Sequence, residues 1–447
     1  MTIRTILIFI LWIFILAVRV NAQVSQPLKQ RVDADSARLV TIFKDIHQNP
    51  ELAFQEKKTY AMVAAELKRL NYAVITGIAK TGVVGILKNG PGPVVMYRAD
   101  MDCNPVKEVT GLPWASKKMV KAADGTEVPV MHACGHDAHI TWLLGAARVM
   151  ADIKNQWKGT LVLVAQPAEE IGEGAKAMVK DPVFMQRVPV PDFVFGMHSW
   201  PTAVGTIVNK PGESMSGVDF LDIEFLGLGG HGALPETTKD PVVMICTAVL
   251  QYQTIVSRQV AAQDVAVLTV GSVHAGTGNN VIPAQAIAKL SLRWFNEKTR
   301  QTVLDGIVRI NEGLAVAYGL PAEKKPVITM KAHIAPVINH PGLAKSMNEW
   351  LSVKMPSEKI IDNAAPIMMA EDFTYLVKDT TKSVYDFMLI GIASPVEVET
   401  ALSQGMGSPF SNHSGNFKVD LAAIPHGVEV ASNALLGFFN GTFTGGK

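Results

Sequence analysis

Three cysteines in 447 residues, Cys103, Cys134 and Cys246, are too few and too widely spaced for a disulfide framework, and their number is odd. Charge of one sign is missing as well. Lysine plus arginine total 41 and aspartate plus glutamate 40, a net charge of +1, so no basic excess is available for nucleic acid and neither end carries a charged tail. Long apolar runs are scarce. The one at Thr5–Val18 has fourteen residues, lies between Arg4 and Arg19, and is followed by Val20-Asn21-Ala22. As a helix it reaches about 21 Å, short of the ~30 Å hydrocarbon core. It reads as a secretory signal over residues 1–22, cleaved after Ala22, with a retained anchor as the alternative. Cleavage implies an exported protein, periplasmic or secreted, with no stable membrane span. What the chain has in quantity is core-forming material: 48% apolar against 18% charged residues, enough for two or three domains and incompatible with a largely disordered chain.

Two helical stretches, about Ala34–Gln48 and Gln55–Leu70, open the chain on either side of the breaker Asn49-Pro50. Short apolar strands follow at Val83–Lys88, Val94–Asp100, Thr160–Gln166 and Phe193–His198, with a helix at Ile140–Asp152. Continuously apolar strands alternating with helices indicate an α/β fold, a mostly parallel sheet covered on both faces. Polar clusters fall at the strand ends: Asp100-Met101-Asp102, Glu169-Glu170 and His198. Open α/β sheets bind ligands at that edge.

From about residue 217 the strands alternate instead, as in Leu221–Phe225 and Lys289–Trp294. Val242, Ile245, Val249, Tyr252 and Val256 mark one amphipathic helix, and Val303, Ile307, Ile310 and Leu314 a second. With strands near 265–274 and 326–333 the order is β-α-β-β-α-β, a ferredoxin-like α+β unit. Residues 217–333 are therefore expected to form an inserted domain, hinged near Gly217 and Ala335-Pro336. It would split the first domain into 23–216 and 334–447, where Phe387–Ile392 resumes the apolar-strand pattern.

The chemistry concentrates in Met131-His132-Ala133-Cys134-Gly135-His136-Asp137-Ala138-His139. A thiolate and an imidazole two residues apart suit zinc, and also cobalt, nickel or manganese. A Cys-x-His pair alone is as readily a packing feature. Adjacent carboxylates such as Glu169-Glu170 are most often a solvated surface pair. Directly off an apolar strand they suggest a cation that neutralises one, leaving the other free to act as a base. His198 and His413, taken singly, are ordinary core or surface histidines. Cys246 falls in the apolar helical run and is expected to be buried.

These residues resemble a known family. Tyr97–Asp102, Met131–Asp137, Gln166–Glu170 and Gly196–His198 are similar to the hippurate hydrolase and auxin-conjugate (indole-acetyl-amino-acid) amidohydrolase group. That group belongs to the aminoacylase and carboxypeptidase-like metallopeptidases, metallopeptidase family twenty, which carry a lid domain. Asp45–Leu52, Gly229–Pro235, Asn280–Pro283 and Ala370–Phe373 also match, in order, so that the likeness spans about residues 35 to 440.

The resemblance implies two divalent metal ions per subunit, held by Cys134, His136, Glu170, His198 and His413, with Glu169 as general base. It implies that His231, from a Gly-rich loop that would otherwise pass for a surface turn, donates to the developing oxyanion. Asn280 and Arg293 would hold substrate, although Arg293 also fits a plain solvent-facing strand position. The 217–333 domain would serve as lid and as homodimer interface.

The chain departs from the group's pattern after its last ligand. Gly415 stands in place of a proline and Leu421 in place of a glutamate, while Cys103 occupies the site of a small residue and is expected to pack. The expected activity is metal-dependent hydrolysis of N-acyl or aryl-acyl amino acids. A dipeptidase or carboxypeptidase on the same scaffold is the alternative. A non-catalytic metal- or solute-binding protein would need neither Glu169 nor His231.

Overall fold

The structure, a computed structural model, describes residues 27–122, 124–377 and 383–441. The leader expected over residues 1–22 lies outside them. No helix among the described residues is long and apolar enough to cross a membrane. The chain divides into two compact units, one comprising residues up to Pro211 with Asn339–Ala364 and the chain from Tyr375, the other Gly212–Ile338 with Ala365–Thr374.

The first unit is built on an eight-stranded sheet in the order Ala73–Ile78, Gly82–Asn89, Gly159–Gln166, Val94–Asp100, Phe193–Ala203, Val384–Ala393, Thr206–Val208, Lys359–Ile361. Its centre is parallel. Val94–Asp100 runs beside both Gly159–Gln166 and Phe193–Ala203, and the latter beside Val384–Ala393. Strands buried on both faces are largely apolar; Val95 to Ala99 and Leu161 to Ala165 are all buried, and Arg98, the one charged residue among them, is paired with Asp100 at 2.7 Å. Helices Leu28–Gln48, His136–Asp152 and Ala423–Phe439 pack into one core through Leu39, Phe43, Trp142, Ile424 and Leu435. Parallel register places Asp100 opposite Gln166, and Arg98 opposite Gly196, two residues before His198. The strand ends that carry the polar clusters therefore meet at one edge.

The second unit is a four-stranded antiparallel sheet in the order Ala266–Ala275, Gln285–Trp294, Gly217–Leu226, Val327–Ile334. Helices Pro241–Arg258 and Glu297–Ala317 share its core with Ile223, Phe225, Ala288, Leu290 and Leu292. The unit is wider than 217–333. The segment 365–374 joins it by a bridge between Met215 and Ile367, with Ser216 N–H donating to the Ile367 carbonyl at 3.0 Å. Hydrogen bonds between short extended segments 150 residues apart leave no periodic trace in sequence. A second correction concerns Cys246, which is exposed. The helix buries Met244, Ile245, Ala248, Tyr252 and Ile255, a stripe rotated one position from Val242, Val249 and Val256. That rotation turns residue 246 outward. Cys103, by contrast, is buried.

Candidate metal centre

At the sheet edge, buried Asp100 accepts from Arg98 through Oδ2 at 2.7 Å and lies 2.6 Å from His139 Nδ1 through Oδ1. His139 Nε2 accepts the Ser199 N–H at 2.7 Å, which requires the proton on Nδ1. Burial lowers the pKa of His139, and the Asp100 carboxylate offsets only part of that. His198 is oriented in the same way. Its Nδ1 donates to the Ser199 carbonyl at 2.7 Å, which leaves the Nε2 lone pair 3.4 Å from Cys134 Sγ. A histidine whose other nitrogen donates to a carbonyl is poised as a metal ligand.

Cys134 and His136 flank a turn at Gly135 (φ +79°) that starts the helix His136–Asp152. A Cβ at Gly135 would lie 2.3 Å from Ser199 Oγ, the hydroxyl that donates to the Cys134 carbonyl at 2.7 Å. Only glycine therefore permits both the left-handed backbone and that close approach.

The Glu169-Glu170 turn leaves its strand through Ala168, also at positive φ (53°). Asp102 holds it in place, accepting the Glu169 N–H through Oδ1 and the Glu170 N–H through Oδ2, both at 3.0 Å. Both carboxylates point at one imidazole: His136 Nε2 is 3.6 Å from Glu170 Oε1 and 3.8 Å from Glu169 Oε2. His413 reaches the same place from late in the chain. Its N–H donates to the Ala133 carbonyl at 2.8 Å, and its Nε2 is 3.3 Å from Glu170 Oε2.

The departures around His413 fit their surroundings. A Cβ at Gly415 would come within 2.5 Å of the Lys107 carbonyl, which excludes a proline there. Leu421 packs against the main core.

Three groups of side chains could each hold a cation, with ligand atoms within 4.8 Å of one another: Cys134, His136 and His198; Cys134, Glu170 and His413; His136, Glu169 and Glu170. The electrostatics fit the same purpose. Both nitrogens of buried His136 and Glu170 Oε1 have no hydrogen-bond partner, a cost that a coordinated cation removes. Burial, with Glu170 close by, raises the pKa of the Cys134 thiol, and burial pushes Glu170 up to about 7 against the pull of His136. A divalent cation reverses both effects. Asp100, His136 and His139 form a fourth such group, but both nitrogens of His139 are already engaged.

His231, Asn280 and Arg293 lie in the second unit. His231 pairs with Val281 in a short antiparallel bridge, and its Nδ1 accepts the Ala233 N–H at 3.1 Å, which leaves the proton on exposed Nε2. Gly232 N–H donates to the Asn280 carbonyl at 2.8 Å, bringing Asn280 beside His231. Arg293 is on the sheet face away from the helices, and burial alone lowers its pKa.

Sequence reasoning assigned no role to several residues around this centre. Asp100 and Asp102 were visible as an i, i+2 pair beyond an apolar strand, but not as the supports of His139 and of the Glu169-Glu170 turn. His47 stands within the matching run Asp45–Leu52, but nothing in that run assigns it a partner. It lies buried between Asp137 (2.6 Å) and Glu108 (3.2 Å), and those carboxylates outweigh burial and raise its pKa to about 10.

A parallel α/β sheet whose carboxyl edge gathers imidazole, thiol and paired carboxylate groups around cation-sized gaps defines a metal-dependent hydrolase. Residues 96–436 match the sequence model of Peptidase family M20/M25/M40, and the chain belongs to that family. It is 38% identical to the hippurate hydrolase of Campylobacter jejuni over 77% of this chain and 85% of that protein. It is 31% identical to an IAA-amino acid hydrolase of Arabidopsis thaliana over 88% of this chain and 83% of that one. A Bacillus subtilis structure described as a dinuclear metal binding peptidase from the M20 family superposes with a TM-score of 0.73 at 27% identity, covering 91% of this chain and 99% of that one.

Proposed function

We propose that the protein is an amidohydrolase that cleaves the amide bond of N-acyl amino acids, aryl-acyl ones included, with two divalent cations held by Cys134, His136, Glu170, His198 and His413. The observation that carries this reading is the Glu169-Glu170 turn. Glu170 belongs to two cation-sized groups, one with Cys134 and His413 and one with His136 and Glu169, so Glu170 is the carboxylate common to both and Glu169 the neighbour left to act as base. The relatives named hippurate hydrolase and IAA-amino acid hydrolase support the substrate class.

Bound divalent metal supplies Lewis-acid polarisation of the carbonyl and acidifies water. Glu169 takes the proton of the attacking water and returns it to the leaving nitrogen, so that one carboxylate serves as base and then as acid. The Nε2–H of His231 stabilises charge developing on the carbonyl oxygen, and Asn280 and Arg293 hold the substrate's carboxylate, Arg293 through two parallel hydrogen bonds. The test is a screen of purified, metal-reconstituted protein against N-acyl amino acids and dipeptides. Faster turnover of the N-acyl compounds is expected. A preference for dipeptides would move the assignment to a peptidase.

The second unit is proposed as lid and dimer interface. His231→Ala should lower kcat by about 100-fold or more, the usual loss for an oxyanion donor, with metal content unchanged. If His231 acts across subunits, mixing this variant with Glu169→Gln should restore activity, because each mixed dimer has one site with both residues intact. No rescue after confirmed subunit exchange would place His231 in its own chain's site or outside the reaction. Export is likewise proposed, and N-terminal sequencing of the protein recovered outside the cytoplasm should begin at Gln23. A start at Met1 or Thr2 would reject cleavage.

A further inference from the structure

Glu56 takes no part in the reaction above, yet it is fully buried in the first unit, and each hydrogen-bond partner found for it is a donor. Oε1 accepts the Phe54 N–H and the Ala168 N–H, both at 2.9 Å, and Oε2 accepts the Thr81 hydroxyl at 2.5 Å. Two of these donors belong to non-glycine residues in the left-handed region, Phe54 at φ 61° and Ala168 at φ 53°. Thr81 directly follows two more, Ala79 at 47° and Lys80 at 75°. Six non-glycine residues have positive φ among the described residues, and four of them lie in the three turns that meet on this one carboxylate. Such conformations persist only where surrounding structure holds them, and they gather where geometry serves function.

Ala168 immediately precedes Glu169, and the next two N–H groups are those held by Asp102. Three consecutive backbone donors, from Ala168 to Glu170, are thus fixed by two buried carboxylates. Glu51, five residues before Glu56, provides a contrast. It is also buried, but accepts from Lys58 N–H, Thr59 N–H and Thr59 Oγ1, and so caps the start of helix Lys57–Arg69 without touching the Glu169-Glu170 turn.

We propose that Glu56 is a positioning residue for Glu169: by accepting the Ala168 N–H it holds the left-handed turn that aims the Glu169 carboxylate. This rests on the reading of Glu169 as the general base. What matters is the reach of the accepting oxygen rather than the charge. Glutamine keeps an oxygen at the same distance for both N–H groups and can donate to Thr81 Oγ1. Aspartate keeps the charge but withdraws its oxygens by about 1.5 Å, one bond length, and releases Ala168.

The test uses the full-length, metal-reconstituted enzyme and the N-acyl amino acid it turns over fastest. Glu56→Asp should lower kcat by about 30-fold, within the range for an ångström of misplacement at a reacting group. KM should stay within about 3-fold and metal content unchanged, while Glu56→Gln stays within about 3-fold of wild type in kcat. Glu51→Gln should lower Tm with kcat kept within about 3-fold, which separates helix capping from positioning. In the Glu169→Gln background, Glu56→Asp should cost less than about 3-fold more, since the group it aims is gone.

Full kcat in Glu56→Asp would overturn the proposal. So would equal damage from Gln and Asp, or an undiminished loss in the Glu169→Gln background. Full activity of Glu169→Gln alone would instead remove the base reading on which the proposal rests, an outcome distinct from failure at Glu56. If Glu56→Asp does not fold, the comparison is made in Ala168→Gly, which tolerates positive φ without a clamp. There the aspartate variant should fold and still lower kcat, and equal kcat with and without it overturns the proposal.

Discussion

Glu169→Gln is expected to keep the metal complement of the wild-type protein and to lose at least about 100-fold in kcat, the lower end for removal of a general base. Glutamine has the shape of glutamate and leaves Asp102 its two backbone donors, so the turn that presents Glu170 to Cys134 and His413 should survive. What disappears is the ability to take a proton from water and return it to nitrogen. KM should change little, because the defect lies in a step made only in the transition state. Elemental analysis beside a rate assay checks both halves. Normal metal with full activity would remove Glu169 from the mechanism, and loss of metal would make it a ligand instead.

The features legible in sequence were those with a local or periodic signature. Short apolar runs such as Leu161–Ala165 fit strands buried on both faces, and the polar residues ending such strands share an edge once the strands are parallel. The β-α-β-β-α-β order of the second unit could be read from alternation and from helical spacing. What could not be read was carried by contacts between distant segments. Asp102 holds N–H groups 67 and 68 residues away, and Glu56 holds Ala168 across 112. A buried carboxylate that accepts backbone donors looks in sequence like any glutamate near a helix start. The placement of 365–374 with the second unit depends on similar long-range bonds. Cys246 was misplaced for a different reason. Apolar residues lie on two adjacent helical stripes, and periodicity alone does not say which one meets the sheet.

Removal of the metals is expected to abolish activity, and Cys134→Ser to weaken metal binding by at least about 100-fold, beyond the usual loss for an outer-shell partner. Asp100, Asp102, Glu169 and Glu170 crowd around His136 at 3.4 to 3.8 Å, and Arg98, paired to Asp100 at 2.7 Å, offsets part of that negative charge. Carboxylates packed this closely in a buried site are costly without further positive charge. A metal-bound thiolate contributes a negative donor to Cys134, Glu170 and His413 and to Cys134, His136 and His198 alike, so Cys134 serves both groups. The serine hydroxyl stays protonated and offers only a weak neutral oxygen. Chelation followed by readdition of metal should restore the wild type fully, while the serine variant should recover only at much higher metal concentration. Glu169→Gln should retain metal through the same dialysis that strips Cys134→Ser, and that contrast separates base from ligand. Equal metal affinity in wild type and Cys134→Ser would take Cys134 out of the centre and leave His136, Glu170, His198 and His413 to hold it.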